Sequence, residues 1–174
     1  MSDFDDEYAE SLERELRELH GALLDDQVRL LAPAEPIALP ADTSVQEAIA
    51  RMVAQHRSGV VIVDGAGRLT GVFTERDVLI RVLGQGRDPA STRLAEVMTP
   101  DPEALGADDR IGYAINRMSV AGYRTIPLVD AQRRPIGIVT VNDVIRWLAE
   151  IFPESVLNVP PGDKLKDPSR VDSG

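Results

Sequence analysis

The sequence predicts an α+β protein: two tandem β-α-β-β-α units related by a pseudo-twofold axis, preceded by an amphipathic helix. Three observations carry this. Displaced by 66 residues, the 174-residue chain falls on itself without a gap, and residues 35–82 and 101–148 share 16 identities in 48 pairs; ordinary composition gives about three. Within each copy, apolar residues alternate between helical spacing and short β-branched runs. Ahead of the copies, Leu12, Leu16, Leu19 and Leu23 step by four, three and four along an otherwise acidic segment, which makes an apolar stripe on one helix face.

That first helix is expected over residues 5–31, with a bend at Gly21. Its stripe packs either on the chain's own core or on another subunit, and both readings stay open. Each unit then opens on a short strand, near 36–39 and 102–105. A helix follows, read from Val45, Ala48, Ile49, Met52 and Val53 and again from Ile111, Ala114, Ile115 and Met118, with Asp42 and Asp108 in the N-cap region. The runs Val60-Val61-Ile62-Val63 and Ile126-Pro127-Leu128-Val129 are strands. Asp64-Gly65-Ala66-Gly67 is strong hairpin chemistry, while Asp130-Ala131-Gln132-Arg133 is a weaker turn. Second strands run over 69–73 and 136–139, and closing helices over 75–83 and 141–151. Gly84, Gly86 and Asp88-Pro89 mark a crossover at 84–97. One unit of about 50 residues buries little surface alone, so the two are expected to share a core. The divisions are an acidic arm at 1–32, a first repeat with its crossover at 33–95, a second repeat at 96–152 and a flexible tail at 153–174.

Composition narrows the function. Apolar residues make up 43% and charged residues 28%, the balance of a soluble globular chain. There is no cysteine, which excludes disulfides, a thiol nucleophile and cysteine-ligated metals. His20 and His56 are the only histidines, so a zinc site would have to lean on carboxylates. The net charge is −10, and residues 1–30 hold ten acids against three arginines. Such a chain repels a phosphate backbone, and no nucleic-acid partner is expected. The start Met1-Ser2-Asp3-Phe4-Asp5-Asp6-Glu7 lacks a basic, apolar leader, and no stretch reaches the ~20 apolar residues of a membrane span. The expectation is a cytoplasmic protein with no membrane contact. No histidine stands near a nucleophile and no lysine loop grips phosphate, so no enzyme is expected. His56 reads as a helix-end residue, Trp147 as packing or interface, Arg51 and Arg117 as solvated or ion-paired, and Met52, Met98 and Met118 as core.

One constellation carries chemistry. Gly71-Val72-Phe73-Thr74-Glu75-Arg76-Asp77 recurs as Gly137-Ile138-Val139-Thr140-Val141-Asn142-Asp143, each where a strand gives way to a helix. Thr followed three residues on by Asp is capping-box spacing. The same position also presents outward amides to an anion. A threonine hydroxyl there meets a phosphate or ribose oxygen, a carboxylate accepts from vicinal hydroxyls, and Gly71 and Gly137 let a flat ring approach the backbone. The set suits a nucleoside monophosphate, and both roles can coexist.

These motifs, with Met98-Thr99-Pro100-Asp101-Pro102 and the run from Gly122 to Asp130, resemble the cystathionine-β-synthase (CBS) domain pair, or Bateman module, over about residues 33–152. The resemblance implies a pseudo-symmetric pair, commonly a disc-like homodimer. It also implies up to two clefts for AMP, ADP, ATP or S-adenosylmethionine. Asp77 and Asp143 would hold ribose hydroxyls, with Thr74 and Thr140 beside the ribose and phosphate. The Asp77 cleft would be completed by Thr99, Pro100, Tyr123, Arg124 and Ile126. The Asp143 cleft would be completed by the stretches Ile37 to Leu39 and Arg57 to Val60, with Ile37, Leu39, Ser58 and Val60 as the named contacts and His56 and Arg57 near the phosphate-facing position but displaced from it. Arg124 matches a position that often faces phosphate, and Ser58 is its counterpart. With Arg76 against Asn142, the Asp77 cleft is therefore expected to hold a phosphorylated ligand more tightly. The chain so read is a stand-alone, non-catalytic regulatory module, a homodimer with a protein partner yet to be identified. The alternative is a scaffold with idle clefts that docks on its partner through the acidic helix.

Overall fold

The computed structural model describes residues 3–151, with side chains from residue 13 onward; the tail expected at 153–174 and the side chain of Leu12 lie outside the described residues. The first helix, α1 (Asp3–Asp25), stops short of the expected range, and a separate 3-10 turn follows at Val28–Leu31. The break falls after Asp25 rather than at Gly21, because from Val28 on the backbone is claimed by another partner. The first repeat has β1 (Ala38–Pro40), α2 (Val45–Ala54), β2 (Gly59–Val63) and β3 (Leu69–Thr74). Its closing helix begins as α3 (Glu75–Asp77), widens to a π turn at Val78–Val82 and tightens at Leu83–Gln85. The crossover carries α4 (Leu94–Val97) and β4 (Thr99–Pro100). The second repeat has α5 (Ile111–Ala121), β5 (Thr125–Val129), β6 (Pro135–Thr140) and α6 (Val141–Ile151).

The two repeats pair their strands in the same register. β1 runs parallel to β2, with Leu39 opposite Ile62; the strand expected at 102–105 is reduced to a single parallel bridge, Leu105 to Leu128. The hairpins β2–β3 and β5–β6 are antiparallel, and each slips register at the matching place, Ile62/Val63 and Leu128/Val129. The turn positions match too. Gly67 (φ 76°) has as its counterpart Arg133 (φ 62°), a left-handed slot that glycine takes without strain. Arg133 is held there from outside its own hairpin: its carbonyl accepts from Leu69 N–H at 2.8 Å, and its guanidinium donates to Asp101 and to the Leu69 carbonyl.

The segments ahead of each repeat are exchanged. Leu94 and Val97 are buried in the first repeat's core with Leu39, Val45, Ile62 and Phe73, and β4 extends that sheet at β3. Val28 and Leu31 are buried in the second repeat's core with Leu105, Ile111, Ile126, Val139 and Trp147, and Ala34 bridges to Ile138 on β6. The backbone ties correspond one by one. Val28 N–H donates to Asp109 O at 2.7 Å and Leu94 N–H to Thr43 O at 2.9 Å; Ile111 N–H donates to Asp26 O at 2.9 Å and Val45 N–H to Thr92 O at 3.0 Å. The structural repeat thus begins near residue 26, inside the stretch read as arm. A third small core of Val61, Leu69 and Ile138 joins the two sheets. The core is therefore divided among these clusters rather than continuous.

The arm packs on its own chain. Leu19, Ala22 and Leu23 pack against the buried core of the second repeat, as do Ile115, Met118, Leu148 and Ile151, while Leu16 and Leu24 stay exposed. Trp147 Nε1 donates to Asp26 Oδ2 at 3.2 Å, fixing the base of the arm. Close approach is possible because α5 carries Gly112, where a Cβ would stand 2.6 Å from the Leu23 carbonyl oxygen. On the far side of the second repeat, Glu103 accepts from Arg117 at 2.6 Å and from Tyr113 at 3.2 Å, bracing α5 to the segment leading to Leu105. The Arg117 hydrogen bond, reinforced by that of Tyr113, holds the Glu103 carboxyl below the usual glutamate range.

Two outcomes follow. Gly112→Ala gains about 1 kcal/mol of helix propensity but forces a backbone carbonyl aside, an overpacking cost of about 1–3 kcal/mol. The expected result is faster proteolysis of α1 with no gain in the urea midpoint. Because the folded-state pKa of Glu103 is depressed, its contribution is present above the unfolded glutamate pKa and lost as pH falls through the folded value. Glu103→Gln should flatten the acid side of a stability-versus-pH curve and leave its neutral-to-basic side with the same slope.

Candidate functional site

Each motif sits at a strand-to-helix junction, and both motif aspartates close the first turn of the helix. Asp143 Oδ2 accepts from Thr140 N–H at 2.8 Å and from Thr140 Oγ1 at 2.8 Å. Asp77 Oδ2 accepts from Thr74 N–H at 2.9 Å and from Thr74 Oγ1 at 2.8 Å. Both aspartates are buried, each 9% exposed, and the remaining oxygen meets an arginine one turn on. Arg146 Nη1 lies 3.3 Å from Asp143 Oδ1, and Arg81 Nε lies 3.2 Å from Asp77 Oδ1. The capping box is complete in the first copy, and in the second its carboxylate half, Asp143 accepting from Thr140 N–H, is present. A carboxylate oxygen with one long hydrogen bond still has a lone pair for a ligand hydroxyl.

The motif glycines have a different reason from the one expected. A Cβ on Gly71 would collide with Met98 Sδ, and one on Gly137 would stand 3.1 Å from Pro33 Cβ. They make room for the exchanged segments crossing the motif strands, not for a ligand ring.

Asp143 lies on a cleft of about 990 Å³ between the repeats, at the upper end of the roughly 300–1,000 Å³ usual for small-molecule sites. Thr140, Asn142, Asp143 and Arg146 supply its second-repeat wall; His56, Arg57, Ser58 and Gly59 supply a polar part of the first-repeat wall. Ile49, Met52, Val53, Val78, Leu79 and Ile138 give apolar surface on which a flat ring could lie. Of the residues expected here, Arg57, Ser58, Thr140 and Asp143 come together. Ile37, Leu39 and Val60 do not line it: they are buried in the first core, because β1, β2 and the residue ahead of β1 turn those side chains inward. Their wall is formed instead by Ala34 and Glu35, brought there by the bridge to β6.

The residues expected around Asp77 are placed on separate elements. Thr74 is half-buried and Arg76 exposed; Thr99, half-buried, and Pro100, exposed, pair with Val72 and Gly71. Tyr123 and Arg124 are exposed on the loop before β5, and the Arg124 carbonyl accepts from Val141 N–H at 3.2 Å. The Ser58 carbonyl accepts from Glu75 N–H at 3.0 Å in the same way. Ile126 is in the second core. Sequence reasoning missed Arg146, which stands three residues after Asp143 on the same helix face, a spacing that could have flagged it. It also missed Ala34 and Glu35, for which the sequence carries no signal.

Comparison with known proteins follows from this geometry. A family model for the CBS domain matches residues 31–84 and 94–150. The meiotically up-regulated gene 70 protein of Schizosaccharomyces pombe is 34% identical over 135 residues, 78% of this chain and 18% of that protein. An uncharacterized Methanopyrus kandleri protein, MK0525, is 33% identical over 62% of this chain and 54% of its own length. The CBS domain-containing protein CBSCBSPB3 of Arabidopsis thaliana is 29% identical over 59% of this chain and 18% of its own length. The chain thus spans from under a fifth to about half of these relatives. Among solved structures, the CBS domain pair of protein MJ0100, in complex with 5′-methylthioadenosine and S-adenosyl-L-methionine, superposes with a TM-score of 0.65 at 27% identity, covering 71% of this chain and 96% of that one. CBSX2, in complex with AMP, shares the fold at 22% identity and a TM-score of 0.60, over 72% of this chain and 97% of that one. No helix among the described residues is long and apolar enough to cross a membrane.

Removing either cap should cost about 1–2 kcal/mol. Asp143→Ala and Asp77→Ala are each expected to lower the urea midpoint without unfolding the protein; an unchanged midpoint would mean that the carboxylates do not cap.

Proposed function

The chain belongs to the CBS domain family, and on that premise we propose that it is a non-catalytic regulatory module binding an adenosine-containing ligand between its repeats. The carrying observation is the duplicated buried Thr–Asp pair at a helix start, one copy of which lies on a cleft of ligand size between the repeats. Asp143 Oδ1 would accept a ribose hydroxyl beside or in place of Arg146, Thr140 would meet the ribose–phosphate side, and the base would lie on the apolar wall. Asp77 and Thr74 would serve the sister site with Thr99, Pro100, Tyr123 and Arg124. The likeness to a CBS pair that holds methylthioadenosine and S-adenosylmethionine supports the ligand class; AMP, ADP and ATP are the other candidates. Ligand binding would bias the placement of the two repeats, or of two subunits.

A homodimer belongs to this reading. Ile80 and Leu83 are exposed on the first repeat's closing helix, outside the cleft lining. Sedimentation at micromolar concentration should give a dimer, and a clean 19.0 kDa species would reject it. The scaffold alternative would need α1, whose exposed leucines among the described residues are Leu16 and Leu24, to dock on a protein partner while the clefts stay idle.

Calorimetry against AMP, ATP and S-adenosylmethionine should show micromolar binding of at least one. A hydrogen bond to a carboxylate is worth about 1.5–3 kcal/mol, and Asn keeps a capping acceptor. Asp77→Asn with Asp143→Asn should therefore stay folded and lose binding at least tenfold. A double variant that titrates like the parent would reject the site assignment.

A further inference from the structure

Two sides of α6 meet different parts of the molecule. Asp143 and Arg146 line the cleft between the repeats. The next residue, Trp147, is buried in the second core, and its Nε1 donates to Asp26 Oδ2 at 3.2 Å at the foot of α1. Leu148 and Ile151 pack on the same core as Leu19, Ala22 and Leu23 of the arm. The foot is also tied to α5: Ile111 N–H donates to Asp26 O at 2.9 Å, and Arg110 Nη1 lies 3.2 Å from Asp25 Oδ1. Among the described side chains, none ahead of Leu19 joins that core. Glu13, Arg14, Leu16, Arg17 and Glu18 are exposed, and residues 3–18 extend the helix about 24 Å ahead of Leu19.

The foot has room to move. An open groove of about 620 Å³ runs on its α5 side, between Leu23 and Leu24 of α1 and Gly112, Ile115 and Asn116 of α5. In the first repeat the matching seat is filled by the irregular crossover, where Gln46 N–H donates to Pro89 O at 2.9 Å. Gly112 lies 66 residues after Gln46, and Leu23 lies 66 before Pro89. A continuous helix therefore stands where the first repeat has a loop. A loop absorbs a shift of the helix beneath it, whereas a rigid helix carries the shift to its far end.

We propose that α1 is a lever released by occupancy of the Asp143 cleft, with the Trp147–Asp26 hydrogen bond as its catch. The proposal rests on the reading of that cleft as a nucleotide site. A ligand hydroxyl that takes Asp143 Oδ1 from Arg146 draws the first turn of α6 toward the cleft, and Trp147 is about one turn further along. Its contact with Asp26 is at the long end of the N–H···O range, so a small displacement opens it while the ring stays in the core. The freed foot rolls into the groove beside α5, and the tip sweeps further than the foot. A small change at a buried carboxylate thereby becomes a large one on the exposed arm that carries Leu16 and Leu24.

Trp147 is the only tryptophan in the sequence, so its emission reports on the catch. The full chain is titrated with AMP while that emission is recorded and amide hydrogen exchange is followed over residues 13–25. Calorimetry gives the AMP affinity of the parent, Asp26→Ala, Asp26→Asn and Trp147→Phe. The expected result is altered emission and faster exchange in α1 at AMP saturation. By reciprocity, Asp26→Ala and Trp147→Phe, whose catch is already open, bind AMP about fivefold or more tighter. Asp26→Asn keeps an acceptor and binds like the parent. AMP binding with unchanged exchange in α1, or with equal or weaker affinity in the two open-catch variants, would overturn the proposal. If AMP, ATP and S-adenosylmethionine all fail to bind, the adenosine reading falls and a double-mutant cycle decides the lever. Asp143→Asn, which weakens the Arg146 pair, should then speed α1 exchange in the parent and not in Trp147→Phe; no effect, or additive effects, would overturn it. Should Trp147→Phe fail to fold, Asp26→Ala takes its place in the cycle.

Discussion

The exchange of segments between the repeats is the constraint on which the rest depends. Each repeat has one open edge of sheet and one uncovered end of its core, and neither closes them with its own leading segment. Leu94–Val97 and Thr99–Pro100 close the first repeat from the crossover, while Val28, Leu31 and Ala34 close the second from the other end. A repeat of this size is marginal alone, and the exchange makes each one's stability conditional on the other's. It also explains the motif glycines, which lie under the crossing segments, and the presence of Ala34 and Glu35 in the cleft wall. The arm sits on the second repeat because the chain entering at Asp26 is already committed to that side.

The motif aspartates are asked to do two things with one carboxylate. Oδ2 is spent on the helix start in both copies, by both hydrogen bonds of the preceding threonine. Oδ1 is shared with an arginine at 3.2 or 3.3 Å. The cap fixes the side chain, which under the proposed function would lower the ordering cost of binding. The arginine keeps a buried charge paired, and its contact is longer than those of the cap. Under that reading, structure and recognition would be divided between the two oxygens of a single group.

The legible parts of the fold are those where side chains repeat. The identities at 66-residue spacing fall on the helix faces, the hairpins and the Thr–Asp pairs, where packing or capping restricts the residue type. Residues 26–34 and 92–100 occupy matching places yet share no identity in the sequence. Their role is met by backbone hydrogen bonds and any apolar residue at two positions, so nothing compelled similarity, and the first of them was read as arm. The same logic governs the errors in the site. Ile37, Leu39 and Val60 lie close to the cleft in sequence, but strand alternation sends them to the core. The left-handed turn at Arg133 gave only a weak signal because what holds it, Asp101 and Leu69, belongs to other segments. Asp42 precedes α2 but Ser44 is its N-cap, accepting from Glu47 N–H.

Pseudo-symmetry is broken at the residue that follows Arg146. α6 carries Asp143 and Arg146 on the cleft side and, at the next residue, Trp147, whose ring is in the second core and whose Nε1 reaches Asp26 below the arm. In the first repeat the counterpart of Trp147 is Arg81, which turns instead to Asp77 and to the Val97 carbonyl. Asp143 on the cleft is therefore joined by about one turn of α6 to the Trp147–Asp26 contact at the base of α1, whereas Arg81 ties Asp77 to the crossover. Close-packed interiors do not deform continuously, so a displacement of α6 must move the base of the arm with it or break the Trp147–Asp26 bond. Matching positions of one duplicated unit are thus tied to different segments, one to the arm and the other to the crossover.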